Sequence, residues 1–250
     1  MLLAILGALI IGLSLGLFGS GGSILTVPVL MYLVDMPADV SIASSLLIVA
    51  GISLFGSISY IRRKTVSWKH FWAFGLPGMA GTYGGAWLGT LVDSRWQLLV
   101  FSLLMIVAAV LMWRSKPRAP DHVTAMNYPK VTLEGLVVGV ITGFVGVGGG
   151  FLIVPALVLL AGLAMPVAIG TSLLIIVIKS LAGFIKYYAV MASQNVEFDW
   201  LVIGLMIAGG VFGTVFGSKI GRALPKEKLQ KGFAVFLVAM GIFVIAKSVL

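Results

Sequence analysis

Two glycine-rich strings hold most of the residues suited to grip a ligand. The first, GLFGSGGS at 16–23, contains Gly19, Ser20, Gly21, Gly22 and Ser23. The second, GFVGVGGG at 143–150, contains Gly146, Gly148, Gly149 and Gly150. Apolar residues follow each string, so a helix is predicted to start near Ser23 and another near Phe151. A helix start presents unpaired backbone N–H groups and a partial positive charge. Glycine lets an anion come close to that backbone. Two such starts meeting near the midplane of a bilayer could hold a small anion without a metal, although the same glycines could serve only to pack a tight tip. Ser44, Ser45, Thr171 and Ser172 lie at the starts of two later helices. Their hydroxyls could donate to an oxyanion, or could cap and back-bond to the carbonyl four residues earlier. Lys179 is the only charged residue well inside an apolar run and, counted from Pro166, falls past its centre. An ionisable group there is costly and reads as functional. The competing reading is a stem that snorkels outward, as Lys186 sits seven residues on.

Other chemistry is missing. The chain has no Cys, and its two His, His70 and His122, fall outside the apolar runs. The predicted spans hold no Asp or Glu pair. Acid–base, nucleophilic and metal chemistry therefore lack residues, and no enzyme activity, metal or other cofactor is expected. Of the 250 residues, 60% are hydrophobic and 10% charged, against roughly 25% charged in soluble domains. The net charge of +9 does not point to nucleic acid, because the basic residues gather in short loops between apolar segments, as in membrane proteins. No basic residue precedes Arg62. The N-terminal stretch is therefore expected to be mature structure and not a signal peptide.

The chain repeats itself. Positions 12–61 align with 139–188 without a gap, at a constant offset of 127. GLFGSGGSILTVPVL at 16–30 matches GFVGVGGGFLIVPAL at 143–157, and Ser45-Leu46-Leu47-Ile48 matches Ser172-Leu173-Leu174-Ile175. After a small shift, Gly81-Thr82, Gly85 and Gly89 match Gly213-Thr214, Gly217 and Gly221, a small-residue helix face. Each half thus reads as a glycine-broken stretch followed by three spanning helices. These are predicted near 40–60, 71–91 and 96–113, and near 166–188, 200–221 and 232–250. The whole chain, 1–250, forms one transmembrane domain, with a first repeat at 1–113, a cytoplasmic linker at 114–132 and a second repeat at 133–250. The matched Tyr60 and Tyr187, at helix ends, read as interfacial anchors, as do most of the six Trp.

Charge selects the topology. If each broken stretch crosses once, the basic loops at 62–69 and 219–231 lie on opposite faces. If each is a hairpin that enters and leaves on one side, the halves are inverted. The loops at 62–69, 114–130 and 219–231 then share one face and carry thirteen of the 17 basic residues. Asp35, Asp39, Asp93, Glu197 and Asp199 fall on the other. The positive-inside rule favours the second arrangement. So does length: twelve residues after each break cover ~18 Å as a helix, short of the ~30 Å hydrocarbon core. The fold expected is an all-α polytopic membrane protein of two inverted repeats, each a re-entrant helical hairpin followed by three transmembrane helices. Both termini would lie outside. Paired breaks of this kind are the sequence mark of a transport site.

In GLFGSGGSILTVPVL, its echo GFVGVGGGFLIVPAL and GTSLLIIV at 170–177, the chain resembles the TauE/SafE family of sulfite and sulfonate exporters along nearly its whole length. The resemblance implies a multi-pass permease of the bacterial inner membrane that moves a sulfur-containing anion by alternating access. An anion channel and a subunit of a larger complex remain alternatives. Expected partners are the small anionic substrate, the lipid bilayer and, as one option, a second copy in a homodimer; nucleic acid is not among them. Because the chain has no cysteine of its own, single-cysteine labelling reads the topology cleanly. A cysteine at Glu197 is expected to react from outside, and cysteines at Arg63, Arg118 and Lys228 from the cytoplasm. Labelling of position 197 from the cytoplasm alone would rule out the inverted arrangement.

Overall fold

The computed structural model describes residues 2–114, 127–145, 150–193 and 196–249. Among them every regular element is helical: α1 (Leu2–Phe18), α2 (Gly21–Tyr32), α3 (Ala38–Arg62), α4 (Trp68–Gly89), α5 (Ser94–Arg114), α6 (Tyr128–Val145), α7 (Gly150–Pro155), α8 (Met165–Ser193), α9 (Trp200–Ala223) and α10 (Lys226–Val249). A π-helical turn, Ala156–Leu160, extends α7 beyond Pro155.

The breaks have local causes. Gly19 takes φ +72, the left-handed conformation that favours glycine, and its N–H donates to the Leu15 carbonyl. This ends α1, and α2 starts two residues later. At the far end of α2, Asp35 is left-handed and Met36 N–H returns to the Leu30 carbonyl. In the second half Gly162 is left-handed and Leu163 N–H returns to Leu157. The two stops use matched positions and the same helix-ending motif.

Helix α6 starts earlier than the sequence reading placed it. It begins at Tyr128, inside the stretch read as linker. Asn127 caps it through its side chain, which accepts from Lys130 N–H, and Pro129 falls in the first turn, where proline is tolerated. Six helices are long and apolar enough to cross a membrane: α3, α5, α6, α8, α9 and α10. Five of these were expected as spans. Helix α4, also expected, has 22 residues but is diluted by glycine, Lys69 and His70, whereas α6, read as an arm of the second hairpin, is long and apolar enough by itself. The short α2, with 12 residues, matches the expected short arm.

Glycine determines how the helices pair. Helix α1 runs along α9, with Gly12 on Gly210, Gly16 on Thr214, Gly213 on Leu9 and Gly217 on Leu13. Helix α6 runs along α4 in the same way: Gly139 lies on Gly78, Gly143 on Thr82, Gly81 on Leu136 and Gly85 on Val140. At each point a Cβ would strike the partner's backbone, so the two chains touch main chain to main chain. Each broken stretch thus packs parallel to a helix of the other half. Helices α3 and α8 lie antiparallel at the centre: Asp39 shares a cavity with Tyr187 and Met191, whereas Tyr60 shares one with Pro166 and Ile169. All six Trp are exposed on the outside of the bundle.

These contacts separate two neighbouring glycines of α4. Gly85 faces the Val140 carbonyl, whereas a Cβ on Gly84 would meet nothing within 4 Å. Gly84→Ala is expected to leave stability unchanged or raise it by up to ~1 kcal/mol through helix propensity. Gly85→Ala is expected to lower it by ~1–3 kcal/mol through overpacking. Thermal unfolding in detergent reads both, and equal midpoints would disprove the backbone contact.

Candidate functional site

The first glycine break lies against the start of α8. The Ser172 hydroxyl, donating to the Ile169 carbonyl at 2.8 Å, also reaches the Gly19 carbonyl at 3.2 Å. A Cβ on Gly19 would stand 2.9 Å from the Ile169 Cα. Ser23 donates to the Ser20 carbonyl at 2.7 Å, while the Ser20 hydroxyl is fully buried and has no hydrogen-bond partner among the described residues. Across from it, Gly150 abuts Ser23, whose Oγ would be 2.7 Å from an added Cβ. Positions 23 and 150 are equivalent under the 127-residue offset. The starts of α2 and α7 therefore meet at matched residues. Gly19, Ser20, Ser23, Gly150 and Ser172 are brought together here. Gly146, Gly148 and Gly149 lie outside the described residues.

Other candidates stand apart. Gly22 packs on the Ile11 carbonyl and Gly21 on Ser14, both on α1, so these two glycines allow the arms of the hairpin to close. Ser45 donates to Ile42 within its own helix, the back-bonding alternative. The Thr171 hydroxyl accepts from Ser67 N–H at 2.9 Å, which fastens the α3–α4 turn to α8. Ser44 is buried, and its hydroxyl has no partner among the described residues.

Lys179 sits at the middle of α8, not past it, because the helix continues to Ser193. Its side chain is 0% exposed and does not snorkel. The ammonium lies 4.9 Å from the Phe74 ring centroid, over a gap left by Gly78 of α4, where a Cβ would come within 2.7 Å of Nζ. It has no hydrogen-bond partner and no ion pair among the described residues. The matched pair in the other half is Ile52 against Gly210, with the same gap filled by an alkyl chain. The repeat thus builds one niche twice and places a cation in one copy.

Four features escaped the sequence reading. Tyr60 and Tyr187 are not interfacial anchors: both are buried, and they donate to the Gly16 and Gly143 carbonyls at 3.4 and 3.5 Å. Their equal positions in the repeat were the available signal. Ser14, buried and without a hydrogen-bond partner among the described residues, faces Gly21 beside the first break. Gln97 is buried and donates to the Gly89 carbonyl. Glu134 falls within α6 because that helix starts early, and it pairs with Lys130 at 3.8 Å.

The profile of the family described as "Sulfite exporter TauE/SafE" matches residues 4–244. The chain is 32% identical to a probable membrane transporter protein of Xylella fastidiosa, over 96% of this chain and 92% of that protein. It is 29% identical to one of Bacillus subtilis, over 96% and 95%, and 27% identical to one of Methanocaldococcus jannaschii, over 97% and 94%.

An unpaired ammonium in the bundle centre has a stability cost. A charge at a helix centre in a membrane costs ~2.5–3.5 kcal/mol on insertion scales. Lys179→Met keeps the length and removes the charge, so the substrate-free protein is expected to unfold at a higher temperature in detergent. A lower midpoint would mean that the ammonium has a partner in the protein.

Proposed function

Because the chain belongs to the sulfite exporter TauE/SafE family, whose members are membrane transporters and not enzymes, we propose that it carries a small sulfur-containing oxyanion, sulfite or a sulfonate, across the membrane. The observation that carries this reading is Lys179, a fully buried cation with no counter-charge among the described residues. The Phe74 ring offsets part of the cost of burying this ammonium, and a bound anion would neutralise its charge. At the first break, the α2 helix start and the hydroxyls of Ser14 and Ser20, which have no hydrogen-bond partner among the described residues, offer positive potential and donors suited to oxyanion oxygens. Sulfite and sulfonates present three such oxygens, more than a carboxylate.

The transport cycle proposed is alternating access by two inverted repeats, each a re-entrant hairpin followed by three helices. Support comes from the antiparallel α3 and α8, which are equivalent in the repeat, and from the crossed pairing of α1 with α9 and α6 with α4. The hairpins then enter from opposite faces and touch at Ser23 and Gly150. The face with Arg63 and Arg222 is the cytoplasmic one by charge, and the membrane is the bacterial inner membrane.

Flux into proteoliposomes with sulfite, a sulfonate and a carboxylate tests the reading. Saturable flux selective for the sulfur anions is expected, and unsaturable flux would favour a channel. Lys179→Met should raise the half-saturation concentration more than tenfold, since losing a partly desolvated charged contact costs roughly 1.5–3 kcal/mol. Lys179→Arg should retain part of the affinity. Lys186, half-buried with its ammonium over the Tyr83 ring, should give the smaller effect when changed to Met. Equal small effects at both lysines would remove Lys179 from the site.

A further inference from the structure

Two cavities lie at opposite ends of the α3–α8 pair and are built from matched positions. One, about 170 Å³, is walled by Tyr60, Pro166, Ile169, Arg222 and Leu229. The other, about 210 Å³, is walled by Tyr187, Asp39, Ile42, Thr90 and Gln97, together with Asp93. In the alignment Tyr60 corresponds to Tyr187, Ile169 to Ile42, Arg222 to Thr90, Pro166 to Asp39 and Leu229 to Gln97. The floors are therefore the same and the rims differ in charge.

Each floor adjoins a hairpin. Tyr60 bonds to the Gly16 carbonyl, and Ile169 packs on Gly19. At the other end Tyr187 bonds to the Gly143 carbonyl. A third cavity, about 210 Å³, shares Arg222 with the first and adds Arg63, Lys219 and Ser59. Arg222 donates to the Ser59 hydroxyl at 3.4 Å. Lys219 lies over the Phe216 ring. No carboxylate lines either cavity at this end, and none of the three cations forms an ion pair among the described residues. At the opposite end the rim carries two carboxylates, and the nearby Lys186 faces Tyr83 and lines no described cavity.

We propose that the Arg222 cavity is the mouth where a small oxyanion is captured, and that its matched counterpart at Asp39 is the mouth from which the anion is released. The proposal rests on the anion-carrier reading and adds sidedness to it. A cleft lined by one sign of charge concentrates the opposite ion and repels its own kind. Arg222 in the cavity that adjoins the Gly19 hairpin, with Arg63 and Lys219 in the cavity that shares it, raises the local anion concentration there, while Asp39 and Asp93 lower it at the other mouth. The two ends of a symmetric frame thereby acquire unequal affinity for the same anion.

The test uses the full chain in phosphatidylcholine vesicles, with single cysteines introduced by Ser59→Cys and, separately, Thr90→Cys. Rates of mixed-disulfide formation, with methanesulfinate as the leaving group, are measured with an anionic sulfonatoethyl and a cationic trimethylammonioethyl methanethiosulfonate. The anionic reagent is expected to react faster at position 59 and the cationic one at position 90. Arg222→Gln should cut the anion-to-cation rate ratio at 59 by about tenfold and leave position 90 unchanged, and high salt should level both ratios. Ethanesulfonate should protect position 59, at a half-protecting concentration that Arg222→Gln raises about tenfold and Arg222→Lys raises less. Equal ratios at the two positions, or no protection by ethanesulfonate in a protein with saturable sulfite flux, would overturn the mouth and spare the carrier. Protection by added phosphatidylglycerol alone would overturn it in favour of a lipid-headgroup site. Loss of saturable flux in the unmodified chain would overturn the carrier reading, and the mouth with it.

Discussion

Main-chain contact between glycine-bearing helices is the constraint on which the rest of this molecule depends. Lipid is as apolar as a leucine side chain, so helices in a bilayer gain little by hiding apolar surface from it. Association then relies on close packing and on hydrogen bonds made across the contact. Here α1 meets α9 and α6 meets α4 so closely that a methyl group would strike a carbonyl at Gly12, Gly16, Gly139 and Gly143. Thr214 uses that proximity to donate to the Gly12 carbonyl of the facing helix at 3.0 Å. The two pairings bind each broken stretch to the opposite half, so neither half packs as a separate body. They also hold the hairpin ends against α3 and α8.

The interior that results is apolar with a few deliberate exceptions. Most buried hydroxyls are satisfied by carbonyls of their own helix, as at Ser45, Thr82, Ser102 and Ser218, and so add little free polarity. Among the described residues the hydroxyls of Ser14, Ser20, Ser44 and Ser53 have no partner, and neither has the Lys179 ammonium. Unpaired groups of this kind are expensive where water is excluded. The contrast between Lys179 over Gly78 and Ile52 over Gly210 sharpens the point, because packing alone is met by an alkyl chain in the same niche.

Repetition of the frame with different side chains recurs at the ends of the bundle. Tyr60 and Tyr187 bind the backbone of α1 and α6 in the same way, and both floors carry an isoleucine at matched positions. The rims then diverge, Arg222 against Thr90 and Asp39 against Pro166. A symmetric backbone can give two equivalent conformations; only side chains that break the symmetry can make the two faces differ in affinity.

By itself the sequence determined the membrane class, the all-helical architecture, the repeat offset and the family. Each of these follows from composition, from apolar run length or from glycine spacing, which are properties of the chain read in order. Helix α6 was half legible: its Asn127 cap and Pro129 first turn are sequence signals, but they lay in a stretch whose prolines read as linker. Thr171, Tyr60 and Tyr187 were legible as candidates and not in their roles. Whether a hydroxyl at a helix start meets a ligand, its own carbonyl or a distant turn depends on what packs beside it, and the partner of Thr171 is 104 residues away. The tertiary structure alone decided that the two hairpins cross over to the opposite half, that residues 23 and 150 touch, and that the Lys179 ammonium lies over Phe74 and Gly78 instead of reaching water. Those outcomes are set by contacts between segments far apart in the chain, where the local pattern of apolar and small residues is the same for either choice of partner.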